Sequence, residues 1–211
     1  MRGQRGADKI DALRAGHLPI YEPGLEEMVG AQRGATAASR FTTDLRSAVR
    51  KSEIVFIAVG TPPKVDGQAD LSAVEAVAQE IGRAMDRYTV VVNKSTVPVG
   101  TGEFVREVIE RHAAPAGPFD VVSNPEFLRE GSAIQDTLRP DRIVIGAPTQ
   151  HVAMTLLELY APLERPMIIT DVPSAEIIKY ASNAFLRDED LVHERHREHL
   201  RARAAPTSPR S

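Results

Sequence analysis

Four polar residues have the types and spacing that a catalytic or binding site would use. Thr96 and Glu126 each follow an apolar run of strand length by a few residues. A hydroxyl and a carboxylate so placed can hold a water, or the carboxylate can serve as a base; equally, both can satisfy backbone groups of their loops. Lys179 and Asn183 share one face of a predicted helix, four residues apart. An ammonium beside an amide can stabilise a developing oxyanion, or the two can simply belong to a solvated face. Gly100-Thr101-Gly102 precedes a helical stretch. It comes nearest to a phosphate-gripping turn but lacks the third glycine of G-x-G-x-x-G, and Pro98 separates it from the strand before it. His193, His196 and His199 suggest a metal cluster, but their spacing spreads them around a helix among Arg and Glu, as in a solvated charged tail. Cysteine is absent, which excludes disulfides, zinc–thiolate sites and any nucleophilic thiol of this chain.

The elements that must position these groups alternate in type. A helix is predicted over 7–15, a turn and short helix around Glu22-Pro23-Gly24, a short strand at SRFTTD, and a helix capped by Asp44. EIVFIAVG then reads as a central parallel strand ended by Gly60-Thr61-Pro62-Pro63. Asp70 caps a long helix; YTVVVNKS is a second buried strand, and a helix over roughly 101–112 leads to the strand FDVVS. RIVIGA, a helix at HVAMTLLELYAPL, the strand PMIIT and a helix capped by Ser174 complete the pattern. Such alternation predicts an α/β fold with a mostly parallel sheet and right-handed crossovers. Ligands of these sheets gather at the carboxyl ends of the strands. There the polar loops are Gly60–Pro63, Ser95–Gly100 and Asn124–Glu130.

Composition agrees with a folded domain. The chain has 211 residues, 42% hydrophobic and 26% charged, enough for a real core. A net charge of −3 argues against nucleic-acid binding through bulk positive charge. No apolar run is long enough to span a membrane and no signal peptide opens the chain, so a cytoplasmic location is expected.

From about Ala7 to Leu186 the segments LPIYEPGLEEMV, FIAVGTPP, KSTVPVGT, SNPEFLREGSAIQD, RPDRIVIGA and EIIKYASNAFL resemble, in order, the UDP-glucose/GDP-mannose dehydrogenase family. Tyr21 in IYEPGL favours the branch that oxidises UDP-glucose over the GDP-mannose branch, with a fragment of a GDP-mannose or UDP-N-acetylmannosamine dehydrogenase as the alternative. The resemblance implies a Rossmann-like NAD-binding domain and an NAD-dependent, two-step oxidation of UDP-glucose to UDP-glucuronate through a cysteine thioester. It implies roles residue by residue. Thr96 and Glu126 match the pair at the active-site water, and Phe127, Leu128 and Arg129 match the loop along the sugar nucleotide. Glu130 matches a carboxylate near the nicotinamide; Lys179 and Asn183 match the oxyanion and substrate pair. Thr61 lies in the loop touching NAD, and Lys9 matches a basic residue near the adenosine ribose.

The departures from the family are large. The first strand with its glycine turn, the acid ending the second strand, the cysteine motif, the UDP-binding domain and most of the helix used for homodimerisation have no counterpart in these 211 residues. Weak or absent NAD binding is expected, and little or no activity from this chain alone, which leaves a non-catalytic, partner-binding remnant as the alternative. Residues 1–6 are expected to be a non-native leader, 7–172 a partial NAD-binding domain, 173–186 the start of the central helix, and 187–211 a charged, disordered tail. GC-rich back-translation adds a reason. Reading one base later turns RDEDLVHERHREHLR into ATKISFMNDIANIC and MRGQR into CVDNE, so both ends are expected to be out of frame.

Overall fold

A computed structural model describes residues 2–34, 40–113, 117–129 and 131–182. The elements are α1 (Arg2–Ala15), α2 (Leu25–Gly34), α3 (Leu45–Arg50), β1 (Ile54–Ile57), α4 (Ser72–Ala84), β2 (Thr89–Asn93), α5 (Thr101–His112), β3 (Phe119–Ser123), α6 (Ala133–Leu138), β4 (Ile143–Gly146), α7 (Gln150–Tyr160) and β5 (Met167–Thr170). A last helix, α8, covers 172–182.

The strands form one sheet in the order β1-β2-β3-β4-β5. β1–β2, β2–β3 and β4–β5 are parallel; β3 and β4 meet antiparallel at the single pair Ser123–Gly146. The α/β class and mostly parallel sheet follow the sequence pattern. β2 is buried along its whole length, which is why TVVVN carries no polar face. Its residues alternate between two cores. Val91 joins Ile57, Val121, Val74 and Ile81 on the side of α4 and α5, while Val90 and Val92 join Val122, Ile145 and Leu156 on the side of α7. Each fully buried branched side chain contributes about 1.5–3 kcal/mol of apolar transfer. α4 lies flush on α5 because Gly82 has no side chain: a Cβ there would meet the Ile109 carbonyl oxygen at 2.8 Å.

Several local expectations need correction. β1 is an edge strand, pairing only with β2 among the described residues, where a central position was expected. The residues before it fold as helices α1–α3 and supply no strand to its outer side, so Phe56 is left partly exposed. Residues 40–44 stay irregular instead of forming a strand, held by Thr42 and Asp44 accepting from local backbone amides. α8 opens two residues before Ser174; its cap is Asp171, whose carboxylate accepts from the Ser174 amide at 2.8 Å and its hydroxyl at 2.9 Å. The first helix extends back to Arg2, beyond the expected start at residue 7. Asp44 caps α3 as expected, accepting from the Ser47 amide at 2.9 Å.

Candidate functional site

The sheet ladder runs on into the loops at its carboxyl end. The Lys94 amide donates to the Ile57 carbonyl and the Asn124 amide to the Asn93 carbonyl, both at 2.9 Å. Two loops therefore leave β2 and β3 side by side. β4, antiparallel to β3, extends past the end of β3 and brings Arg142 and Ile143 alongside the second loop. Between these segments, the end of α7 and α8 lies a cavity of about 640 Å³. Its lining includes Lys94, Asn124, Glu126–Arg129, Arg142, Tyr160 and Lys179.

Five of the expected residues, Glu126, Phe127, Leu128, Arg129 and Lys179, line it, and three of them, Glu126, Phe127 and Lys179, meet directly. The Lys179 ammonium lies 3.7 Å from the Glu126 carboxylate, with side chains 8% and 29% exposed. Lys179 also sits 5.0 Å from the centre of the Phe127 ring, and the Arg142 guanidinium 5.1 Å from that ring. Lys179 is thus buried, which removes the reading as a solvated helix face. Glu126 also accepts from the Leu128 amide at 2.8 Å, which curls the loop back on itself.

The remaining expected residues are placed less directly. Thr61 donates from its hydroxyl to the Thr96 carbonyl at 2.7 Å, tying the loop after β1 to the loop after β2. Among the described residues no hydrogen bond joins the Thr96 side chain to Glu126. Arg129 is engaged by Asp136, its guanidinium donating at 2.7 and 3.2 Å and its amide at 2.9 Å. These bonds hold the Asp136 carboxyl well below the usual carboxylate range. Leu128 is exposed. Lys9 stands exposed on α1, with no hydrogen bond or ion pair to this cluster among the described residues. Glu130, Asn183 and the three histidines lie outside the described residues.

Sequence reasoning missed the supports of the site. Asn124 is 1% exposed. Its side-chain amide donates to the Val144 carbonyl at 2.8 Å, bracing β4. Its oxygen accepts from Tyr160 at 2.5 Å and from Lys94 at 3.2 Å. Burial pushes the Lys94 ammonium below its ordinary pKa; the Glu126 charge opposes that fall and the Lys179 charge adds to it. Glu22 spans the Gly131 and Ala133 amides at 3.2 and 2.8 Å, seating the start of α6 on the loop before α2. No spacing rule reveals these residues, since each partner is distant in sequence.

The family resemblance implies NAD, and the described residues do not fit its diphosphate. No G-x-G-x-x-G turn is present in the 211 residues. In the nearest substitute, the Gly100 and Gly102 amides both donate to the Glu176 carboxylate, so no phosphate can take them as the helix stands.

Residues 5–164 match the model of the UDP-glucose/GDP-mannose dehydrogenase family, NAD binding domain. The chain is 50% identical to the UDP-glucose 6-dehydrogenase TuaD of Bacillus subtilis over 178 residues, which cover 84% of this chain and 38% of that protein. The fold is similar to that of a UDP-glucose dehydrogenase from Pyrobaculum islandicum, at TM-score 0.82 and 46% identity over 85% of this chain and 42% of the other. It is equally similar to a GDP-mannose dehydrogenase from Pseudomonas aeruginosa, at TM-score 0.82 and 39% identity over 87% and 43%. The chain spans about two-fifths of the length of these relatives. On the match across its α/β sheet and the loops at the sheet's carboxyl end, the chain belongs to the UDP-glucose/GDP-mannose dehydrogenase family.

Proposed function

We propose that the cavity between the β2 and β3 loops and α8 is the sugar-nucleotide half of a UDP-glucose 6-dehydrogenase site. The observation that carries this reading is the buried Lys179 ammonium paired with the partly exposed Glu126 carboxylate beside the Phe127 ring. An ammonium held in that position stabilises negative charge on a sugar oxygen during oxidation of the primary alcohol. The carboxylate, which Lys179 neutralises in the resting state, takes the alcohol proton directly or through a water that Thr96 helps to hold. Phe127, Leu128 and Arg129 lie along the sugar nucleotide, and Asn183 joins Lys179 at the oxyanion. Lys9, Thr61 and Glu130 keep the places toward NAD that the family resemblance gives them. The family chemistry is NAD-dependent, but the residues described here supply no cradle for the cofactor's diphosphate, and no step through it is assigned to this chain. Residues 7–172 form the partial NAD-binding domain and 173–186 begin the central helix that a homodimer would use. The protein acts in the cytoplasm on a soluble nucleotide sugar, without nucleic acid.

A non-catalytic remnant is the second reading, and the absence of cysteine favours it, since no thiol of this chain can capture an aldehyde. Titration of the purified chain with UDP-glucose, GDP-mannose and NAD, followed by backbone amide NMR, separates the readings. UDP-glucose is expected to shift the amides of Lys94, Phe127 and Lys179, with NAD leaving the spectrum unchanged. A response to GDP-mannose alone moves the assignment to that branch. No response to either sugar nucleotide overturns the reading in favour of the remnant.

A further inference from the structure

The first turn of α5 is held by a residue more than seventy positions downstream. The Gly100 amide donates to Glu176 Oε2 at 2.7 Å and the Gly102 amide to Oε1 at 2.8 Å. The Glu176 carboxylate thus caps a 12-residue helix, where its charge also meets the positive end of the helix dipole. Glu176 is 2% exposed. Burial pushes its carboxyl pKa up, against the downward pull of the two amides.

Close packing flanks this contact on both sides. A Cβ on Gly102 would meet Val172 Cγ1 at 2.5 Å, and one on Gly146 would meet the Ala175 Cβ at 2.5 Å. α8 therefore lies directly on the start of α5 and the end of β4. Glu176 and Lys179 are three apart on α8 and share a face, so fixing one fixes the reach of the other. The loop that carries Thr96 is held from two directions. On the β1 side Ser95 donates to the Val59 carbonyl at 2.8 Å and Thr61 to Thr96; on the α8 side Glu176 holds Gly100.

We propose that Glu176 is a positioning residue of the site: its carboxylate clamps α8 to the start of α5 and so holds Lys179 against Glu126 while keeping the Thr96 loop in register with both. Its use in sugar-nucleotide chemistry rests on the function proposed above, whereas the clamp stands on the contacts themselves.

The test needs no ligand. Wild type, Glu176→Ala, Glu176→Gln and Thr101→Val are acetylated with a limiting reagent, and Lys179, Lys94 and Lys64 are quantified separately by mass spectrometry. Thr101→Val removes the hydroxyl bond to the Pro98 carbonyl, weakening the same helix start without touching the clamp. Glu176→Ala is expected to speed acetylation of Lys179 about tenfold relative to exposed Lys64, through local opening of α8, with Lys94 changing less than about twofold. Glu176→Gln, which keeps one acceptor, should fall between wild type and Glu176→Ala, and Thr101→Val should leave the Lys179 to Lys94 ratio as in wild type. The proposal is overturned if Lys179 and Lys94 accelerate together in Glu176→Ala and Thr101→Val alike, for then Glu176 contributes only general stability. It is also overturned if Lys179 keeps its wild-type rate. Should Glu176→Ala not fold, the comparison of Glu176→Gln with Thr101→Val decides in the same way. A failure of UDP-glucose to bind would remove the proposed function and leave this result unaffected.

Discussion

Lys179 Nζ stands 3.7 Å from Glu126 Oε2, joining the last described helix to the loop after β3. Lys179 is the more deeply buried partner, so it loses more when the pair is broken. Replacing Glu126 with Gln leaves a nearly buried ammonium without its carboxylate and should cost about 1–3 kcal/mol. The double variant Glu126→Gln/Lys179→Met should recover at least about half of that loss, because it removes the unpaired charge. Urea unfolding of the single and double variants checks the coupling; strictly additive losses would show that the pair carries none.

Asn124 ties three segments together through one side chain. Asn124→Ala releases the Val144 carbonyl and leaves Tyr160 and Lys94 without their shared acceptor. A loss of about 2–4 kcal/mol is expected from these buried groups. Measured by denaturant unfolding, a loss below about 1 kcal/mol would mean that the network relaxes onto other partners.

Two tyrosines should ionise late. Burial, with help from its 2.8 Å bond to Asp120, raises the Tyr88 phenol to about 12, and burial raises Tyr160 as well. A phenol raised on folding adds stability that is complete below its ordinary pKa of about 10 and is lost as pH climbs through the folded value. The chain holds no tryptophan and four tyrosines, so phenolate absorbance can be followed cleanly. Tyr88→Phe and Tyr160→Phe should each remove one late step from that titration.

Gly146 and Gly67 should respond differently to alanine. At Gly146 the new methyl would meet the Ala175 Cβ at 2.5 Å and the Asp171 carbonyl oxygen at 2.8 Å, forcing α8 away from β4. A loss of about 2–3 kcal/mol is expected from this overpacking. Gly67 has φ +80° and open space around it, so its substitution carries only left-handed strain of about 1–2 kcal/mol. Thermal unfolding of both variants gives the order.

Acid should act partly through Asp136. Its pKa is held down chiefly by Arg129, so the stability it adds is present above the ordinary carboxylate range and is lost as pH falls through the lower folded value. Asp136→Asn should flatten the decline in denaturation midpoint between about pH 5 and about pH 2. An unchanged slope would place the acid sensitivity elsewhere, for example at Asp171, which the Ser174 amide and hydroxyl also hold low.

Local sequence was enough for the α/β class, for the bounds of α5, for the place of β2 though not its ends, and for the two loops on which Thr96 and Glu126 stand. Those features are local: a buried parallel strand must be apolar throughout, and a helix must repeat its apolar face every three to four residues. The family motifs also carried Lys179 into the site by resemblance, although spacing alone left it on a solvated face. The place of β1 at the sheet edge came from packing, because strand order depends on which neighbours are present and not on a strand's own residues. Tertiary structure likewise decided that β4 turns antiparallel and brings Arg142 to the cavity. It gave the Gly100 and Gly102 amides at the start of α5 to Glu176 and made Asn124 the acceptor for Lys94 and Tyr160. These contacts join residues far apart in sequence, and it is the packing of α8 and β4 against the carboxyl end of the sheet that brings them within hydrogen-bonding reach.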